Sequence, residues 1–286
     1  MDFVPHTPQD VSEMLATIGM GSLAELFEPI PDDVKLDRAL DVPEDLSEVE
    51  LAAHMRALAG RNSGAGLVCF AGGGAYDHHV PAAVASLASR AEFATSYTPY
   101  QPELSQGVLQ AVFEFQSAVC EIYDMEVANA SLYDGASAVV EAVNLAVRVT
   151  GRHKAIVAES VHPHYREVLQ TYTSGLGLEV EVIPAGEDGV THWDSVEAAD
   201  AACVVVQYPN FFGRLEDVGA AVTRAHDGGA LAACIADPTA MGVLRSPGSF
   251  GADIAVGEGH ALGNPMSYGG PYVGLFATKL ELVRQV

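Results

Sequence analysis

The sequence predicts an α/β protein: a three-layer α/β/α domain on a mostly parallel sheet, preceded by a helical arm. Three observations lead there. Apolar runs of strand length recur at KAIVA (154–158), LEVEVIP (178–184), ACVVVQYP (202–209), ALAACIAD (230–237) and DIAV (253–256). Stretches with helical character separate them, such as HPHYREVLQTYTSGLG (162–177) and VGAAVTRAHDGG (218–229). Strands alternating with helices imply right-handed βαβ units and parallel neighbours. The first 65 residues cannot make a core of their own, so they read as an arm that wraps a neighbouring domain or subunit, with the large domain over 66–286.

In the arm, Thr7-Pro8 signals a helix start, and Val11, Met14, Leu15 and Ile18 form one face ending at Gly19. IPDDVKLDRALDVPEDLS (30–47) is punctuated by proline and mostly extended. Ser47 with Glu50 makes a capping box for a second helix through EVELAAHMRALAGR. Leu67 to Tyr100 reads as irregular. CFAGGGAYDHHVPAAV (69–84) sets three glycines before Tyr76, Asp77, His78 and His79. The adjacent histidines lack a third ligand at useful spacing, so no metal is expected. SYTPYQPELSQG (96–107) places Tyr97 and Tyr100 on a proline-stiffened loop before a helix from Leu104 to about Met125. Aromatic hydroxyls in that setting suit a ligand pocket or an interface.

NASLYDGAS (129–137) opens a helix whose apolar positions include Val139, Val140, Val143 and Leu145. Its free amides form a ready anion site. Asp134 suits the N-cap, yet its carboxylate would repel an anion at close range, so both readings stand. In 178–184, Glu179 and Glu181 alternate with Val180 and Val182. Asp237 ends a strand, and functional loops gather at strand C-termini in such sheets. Between DIAV and YVGLFATK (272–279) lie Gly257, Gly259, Gly263, Gly269 and Gly270, where the backbone needs positive φ or close approach.

Composition narrows the classes. A chain of 286 residues, 49% hydrophobic, holds one large domain, alone or with an arm. With 38 Asp+Glu against 14 Lys+Arg, the net charge of -24 argues against nucleic acid and anionic membranes as partners. The acid is spread along the chain, as suits a high-salt cytoplasm or an ordinary acidic cytosolic protein. Cys69, Cys120, Cys203 and Cys234 show neither CxxC nor metal spacing, and three sit in apolar runs as small buried hydrophobes. No signal peptide opens the chain and no apolar run reaches the ~18 residues of a membrane span, so a soluble cytoplasmic protein is expected.

FVPHTP (3–8), GGGAYDHHVPAAV (72–84), TPYQPELSQG (98–107), NASLYDGAS (129–137), VQYPNFFG (206–213), ADPTAMG (236–242) and GEGHALGNPMSYGGPYVG (257–274) occur in this order. Together they resemble the subunit 1 family of the two-subunit glycine dehydrogenase (decarboxylating), the P-protein of the glycine cleavage system. The resemblance implies a pyridoxal-phosphate fold type I large domain. It implies glycine decarboxylation, with the aminomethyl group passed to the lipoyl arm of H-protein, beside a homologous lysine-bearing subunit 2.

In that fold the glycine-rich loop carries the Schiff-base lysine; here it reads His260-Ala261, and the only lysines are Lys35, Lys154 and Lys279. The resemblance therefore implies pyridoxal phosphate bound covalently by the partner, not by this chain. Asp134 and Ser137 stand at the phosphate's usual place. Asp237 stands where a carboxylate meets the pyridine nitrogen, or is a relic capping Thr239 or Ala240. Tyr97, Tyr100, His78 and His79 are candidates for interface contributions to the partner's active site, or bond only within their loops. Family members are longer, so a small C-terminal domain is expected to be missing. The alternatives are a non-catalytic scaffold subunit and a self-sufficient pyridoxal-phosphate lyase or aminotransferase. A metal hydrolase using Asp77, His78, His79 and His162 comes third.

Overall fold

In the computed structural model, which describes residues 5–36, 38–68, 70, 72–74, 76–94 and 98–286, the chain divides into two units, Met1–Val68 and Cys69–Val286. The first unit holds α1 (Pro8–Thr17) and α2 (Glu48–Ala59), both opened by capping boxes. Thr7 Oγ1 accepts from the Asp10 amide at 3.2 Å while the Asp10 carboxylate accepts from the Thr7 amide at 2.7 Å. Ser47 and Glu50 repeat the arrangement. This reciprocal pairing satisfies donors that a helix start leaves open. None of the unit's described residues is buried, and Ile18, Phe27, Val34, Leu40 and Val49 are each more than half exposed.

The second unit begins with two short helices, α3 (Ala82–Ala88) and α4 (Ala91–Ala94), where the sequence predicts irregular chain. Alanine's helix propensity outweighs the surrounding glycine and proline once Pro81 has set the first turn. Then follow α5 (Gln106–Tyr123), β1 (Val127–Ala128), α6 (Gly135–Thr150), β2 (Lys154–Ala158), α7 (Pro163–Thr173), β3 (Glu179–Ile183), β4 (Cys203–Tyr208), α8 (Val218–Asp227), β5 (Leu231–Ala236), β6 (Ile254–Glu258) and β7 (Gly274–Thr278).

The strands form one sheet in the order β1-β7-β6-β5-β4-β2-β3. Neighbours from β6 through β5, β4 and β2 to β3 are parallel; β7 runs antiparallel to both β6 and β1. Ala155–Ala158, Cys203–Val206, Ala232–Ala236 and Ile254–Val256 are buried throughout, which explains their unbroken apolar sequences: strands covered on both faces need no polar alternation. On edge strand β3 the predicted alternation is imperfect, with Val182 exposed and Glu181 half-buried, because Glu181 turns to Lys154 of β2 at 2.7 Å.

From β2 the chain steps outward to β3, then returns past it to β4 and on to β5 and β6. With right-handed crossovers, that reversal puts α7 and α8 on opposite faces of the sheet. It also opens a crevice between the C-terminal ends of β2 and β4, the place where open α/β sheets hold ligands.

Candidate functional site at the sheet reversal

A cavity of about 410 Å³ lies at this edge. His162 enters it from the turn after β2, Gln207 and Phe211 from β4 and the chain beyond, and Asp237 from the end of β5. Glu258 ends β6 and leads into His260 and Ala261; Gly74 and His78 arrive from the loop before α3. Among the described residues no lysine or arginine lines it.

His162 is fixed on all sides. Its backbone amide donates to Gln207 Oε1 at 2.7 Å, and its Nδ1 accepts from the His164 amide at 3.1 Å. Nε2 then carries the proton and donates to the Gly73 carbonyl at 2.8 Å, giving a neutral ring of defined tautomer. That ring stacks on Tyr165 at 4.9 Å and meets the edge of Phe211 at 4.8 Å. A Cβ at Gly74 would stand 2.6 Å from Nε2, so only glycine lets the loop close over the imidazole. With both ring nitrogens engaged, His162 is no metal ligand here, and no described group of three His, Cys, Asp or Glu could hold a metal ion.

Asp237 Oδ1 accepts from the Thr239 amide at 2.8 Å and from its hydroxyl at 2.6 Å, so this carboxylate caps its own turn while facing the cavity. Asp134 Oδ1 accepts from the Ser137 amide at 2.7 Å as the N-cap of α6. Of the two readings that the sequence leaves open at this helix start, the cap is formed. Gly135 donates its amide to Glu258 Oε2 at 2.9 Å, and Glu258 Oε1 accepts from the His260 and Val273 amides at 2.9 and 3.0 Å. Tyr165 closes the same corner, where a Cβ on Gly135 would overlap its hydroxyl. Burial, with the nearby Glu258 charge adding to it, pushes the Tyr165 phenol well above its ordinary pKa.

The other candidates separate. His78 lines the cavity, with its ring 6.3 Å from that of His260. His260 is only 4% exposed, and its Nε2 makes no hydrogen bond among the described residues. His79 is exposed and absent from the lining, and Tyr100 is 82% exposed. Tyr97 lies outside the described residues. Glu258, Tyr165 and Gln207 escape the sequence reading. For Glu258 a signal existed, since it ends an apolar strand just as Asp237 does.

Pyridoxal phosphate does not fit this cavity as a covalent cofactor. Ala261 offers a methyl group in the glycine-rich loop, and the anion position is filled by the chain's own carboxylate. The lysines are committed elsewhere: Lys154 to Glu181 and Asp200, Lys279 to buried Asp253, and Lys35 to Asp32. None of them reaches the lining.

Sheet order, crevice and loops define the large domain of the pyridoxal-phosphate-dependent fold type I enzymes. A sphingosine-1-phosphate lyase of Burkholderia pseudomallei shares this fold over 90% of the chain, with a TM-score of 0.64 at 15% identity. Within that class, the family model described as glycine cleavage system P-protein matches residues 1–286, and the chain belongs to that family. It is 49% identical over its whole length to a probable glycine dehydrogenase (decarboxylating) subunit 1 of Desulforamulus reducens, and 50% identical to that of Chlorobium phaeobacteroides. A crystal structure of glycine decarboxylase (P-protein) of the glycine cleavage system, in inhibitor-bound form, superposes on 99% of the chain at 48% identity and a TM-score of 0.89. The chain spans 65% of the length of those two curated relatives and 64% of the crystallised chain. Among the described residues no helix is long and apolar enough to cross a membrane.

Proposed function

We propose that this chain acts as subunit 1 of a two-subunit glycine dehydrogenase (decarboxylating) in the cytoplasm. Its partner is a homologous subunit 2 that keeps the lysine and binds pyridoxal phosphate covalently. The assembled enzyme decarboxylates glycine and passes the aminomethyl group to the lipoyl arm of H-protein. One observation carries the reading: a chain similar throughout to subunit 1 proteins has Ala261 in its glycine-rich loop and every lysine outside the cavity. The cofactor, when bound by the partner, supplies the electron sink for decarboxylation.

This chain's own part is to bind and orient. The arm, residues 1–65, carries exposed apolar side chains suited to covering a neighbouring subunit. Tyr97, Tyr100 and His79 are the candidates for contributions across the interface, since the exposure of Tyr100 and His79 leaves both available to it. His78, turned to this chain's cavity, is better suited to holding the loop before α3.

Co-expression with a lysine-bearing homologue, followed by size exclusion and glycine-dependent exchange of carbon dioxide, tests the proposal. A stable mixed complex that exchanges carbon dioxide, inactive with either chain alone, is the expected result. Failure of the mixed complex to exchange overturns it. Tyr100→Phe and His79→Ala separate participation from scaffolding. A large fall in turnover at unchanged assembly marks contact with the reaction, and unchanged turnover leaves a scaffold role.

A further inference from the structure

The corner between α6 and β6 differs from an ordinary helix start. α6 is 16 residues long and directs its N-terminal amides toward the edge of the cavity, where the helix dipole and free N–H groups favour an anion. An anion is already there. The Glu258 carboxylate reaches from the end of β6 to the Gly135 amide at 2.9 Å. It also gathers the amides of His260, two residues on, and of Val273 across the glycine-rich loop, so the start of α6 and both ends of that loop converge on two oxygens. Asp134 takes the Ser137 amide, and the Tyr165 hydroxyl stands close against Gly135. A phosphate ester entering from the cavity would meet Glu258 and Asp237, and among the described residues no lysine or arginine of the lining offsets them.

We infer that Glu258 is a built-in anion. It occupies the position at the start of α6 that a phosphate group would take, and so restricts the cavity to ligands without phosphate. The three-amide clasp orders the glycine-rich loop with no ligand at all. This inference stands on the corner's geometry and is independent of the reaction proposed above.

The test uses the full 286-residue chain with pyridoxine and pyridoxine 5′-phosphate, probes without an aldehyde that form no imine with Lys154 or Lys279. Calorimetric titration of the wild-type chain should show that the phosphate adds nothing to affinity. Glu258→Ala should bind pyridoxine 5′-phosphate at least about tenfold more tightly than wild type, the worth of removing one close like charge. Inorganic phosphate should compete in that variant alone. A wild-type chain that prefers the phosphate ester tenfold or more overturns the inference, as does a folded Glu258→Ala chain with no gain. Should that variant fail to fold, Glu258→Gln, which keeps the side chain's length and an accepting oxygen, must show the same change of preference. If no variant folds, the wild-type comparison decides alone.

Discussion

At Gly135 a single hydrogen separates a working corner from a blocked one. Gly135→Ala would drive a methyl group into the Tyr165 hydroxyl and against Glu258 Cβ at 3.2 Å. Overpacking of this kind costs about 1–3 kcal/mol. Calorimetry should find that loss, and Gly135→Ala combined with Tyr165→Phe should recover part of it, because the hydroxyl is the nearest obstacle. Equal losses in the single and double variants would place the strain elsewhere. Sequence reading succeeds at this scale where partners are near in the chain. Asp134 with Ser137, Asp237 with Thr239 and Ser47 with Glu50 all lie within three residues and have the geometry their spacing implies. Of Glu258 only the place at the end of an apolar strand is readable locally; its partner Gly135, 123 residues away, is not.

Among the elements, β2, β4, β5 and β6 were legible as apolar runs because central parallel strands are buried on both faces. The two-residue β1 was not, since its pairing with β7 depends on chain 150 residues further on. The loop glycines were read for the right reason: Gly269 has φ +101°, and a Cβ at Gly257 would collide with the Ala236 carbonyl. Cys203 in β4 and Cys234 in β5 behave as the buried hydrophobes expected, and burial pushes both thiols up to about 12 from an ordinary 9.0. Both thiols should therefore resist alkylation at pH 8 in the native chain. The unfolded chain ionises first, so stability is retained below pH 9 and falls as pH rises from there toward 12. Thermal melts from pH 8 to 11 should follow this course, and replacing both cysteines by alanine should flatten it. An unchanged slope would assign the alkaline loss to other groups.

For the whole molecule, the contrast between the two units sets the expectations. The second unit holds the entire buried core among the described residues, while the first has none. Limited proteolysis of the isolated chain should cut first between α1 and α2, in the proline-punctuated stretch 18–47, and leave the second unit intact. In a complex with subunit 2 those cuts should slow at least about tenfold if the arm covers the neighbouring subunit, because cleavage follows local opening. Equal rates in the free chain and the complex would remove the arm from the interface. The arm's lack of a core was legible from its composition, because its apolar residues are too few and too interrupted by proline to enclose one.

Strand order also carries a consequence for how the chain is made. β7 lies between β6 and β1, so the first strand synthesised has no hydrogen-bonded neighbour until Gly274–Thr278 has emerged from the ribosome. β2 through β6 can pair as they appear, each beside an earlier strand or the next to come. Val127 and Ala128 must wait until the other strands of this sheet have been made, then be captured by the strand that also completes the opposite ladder with β6. Growth of this sheet is thus not vectorial. β7 joins β1 to the rest of the sheet, and until it appears the flank of β6 stays open to other chains.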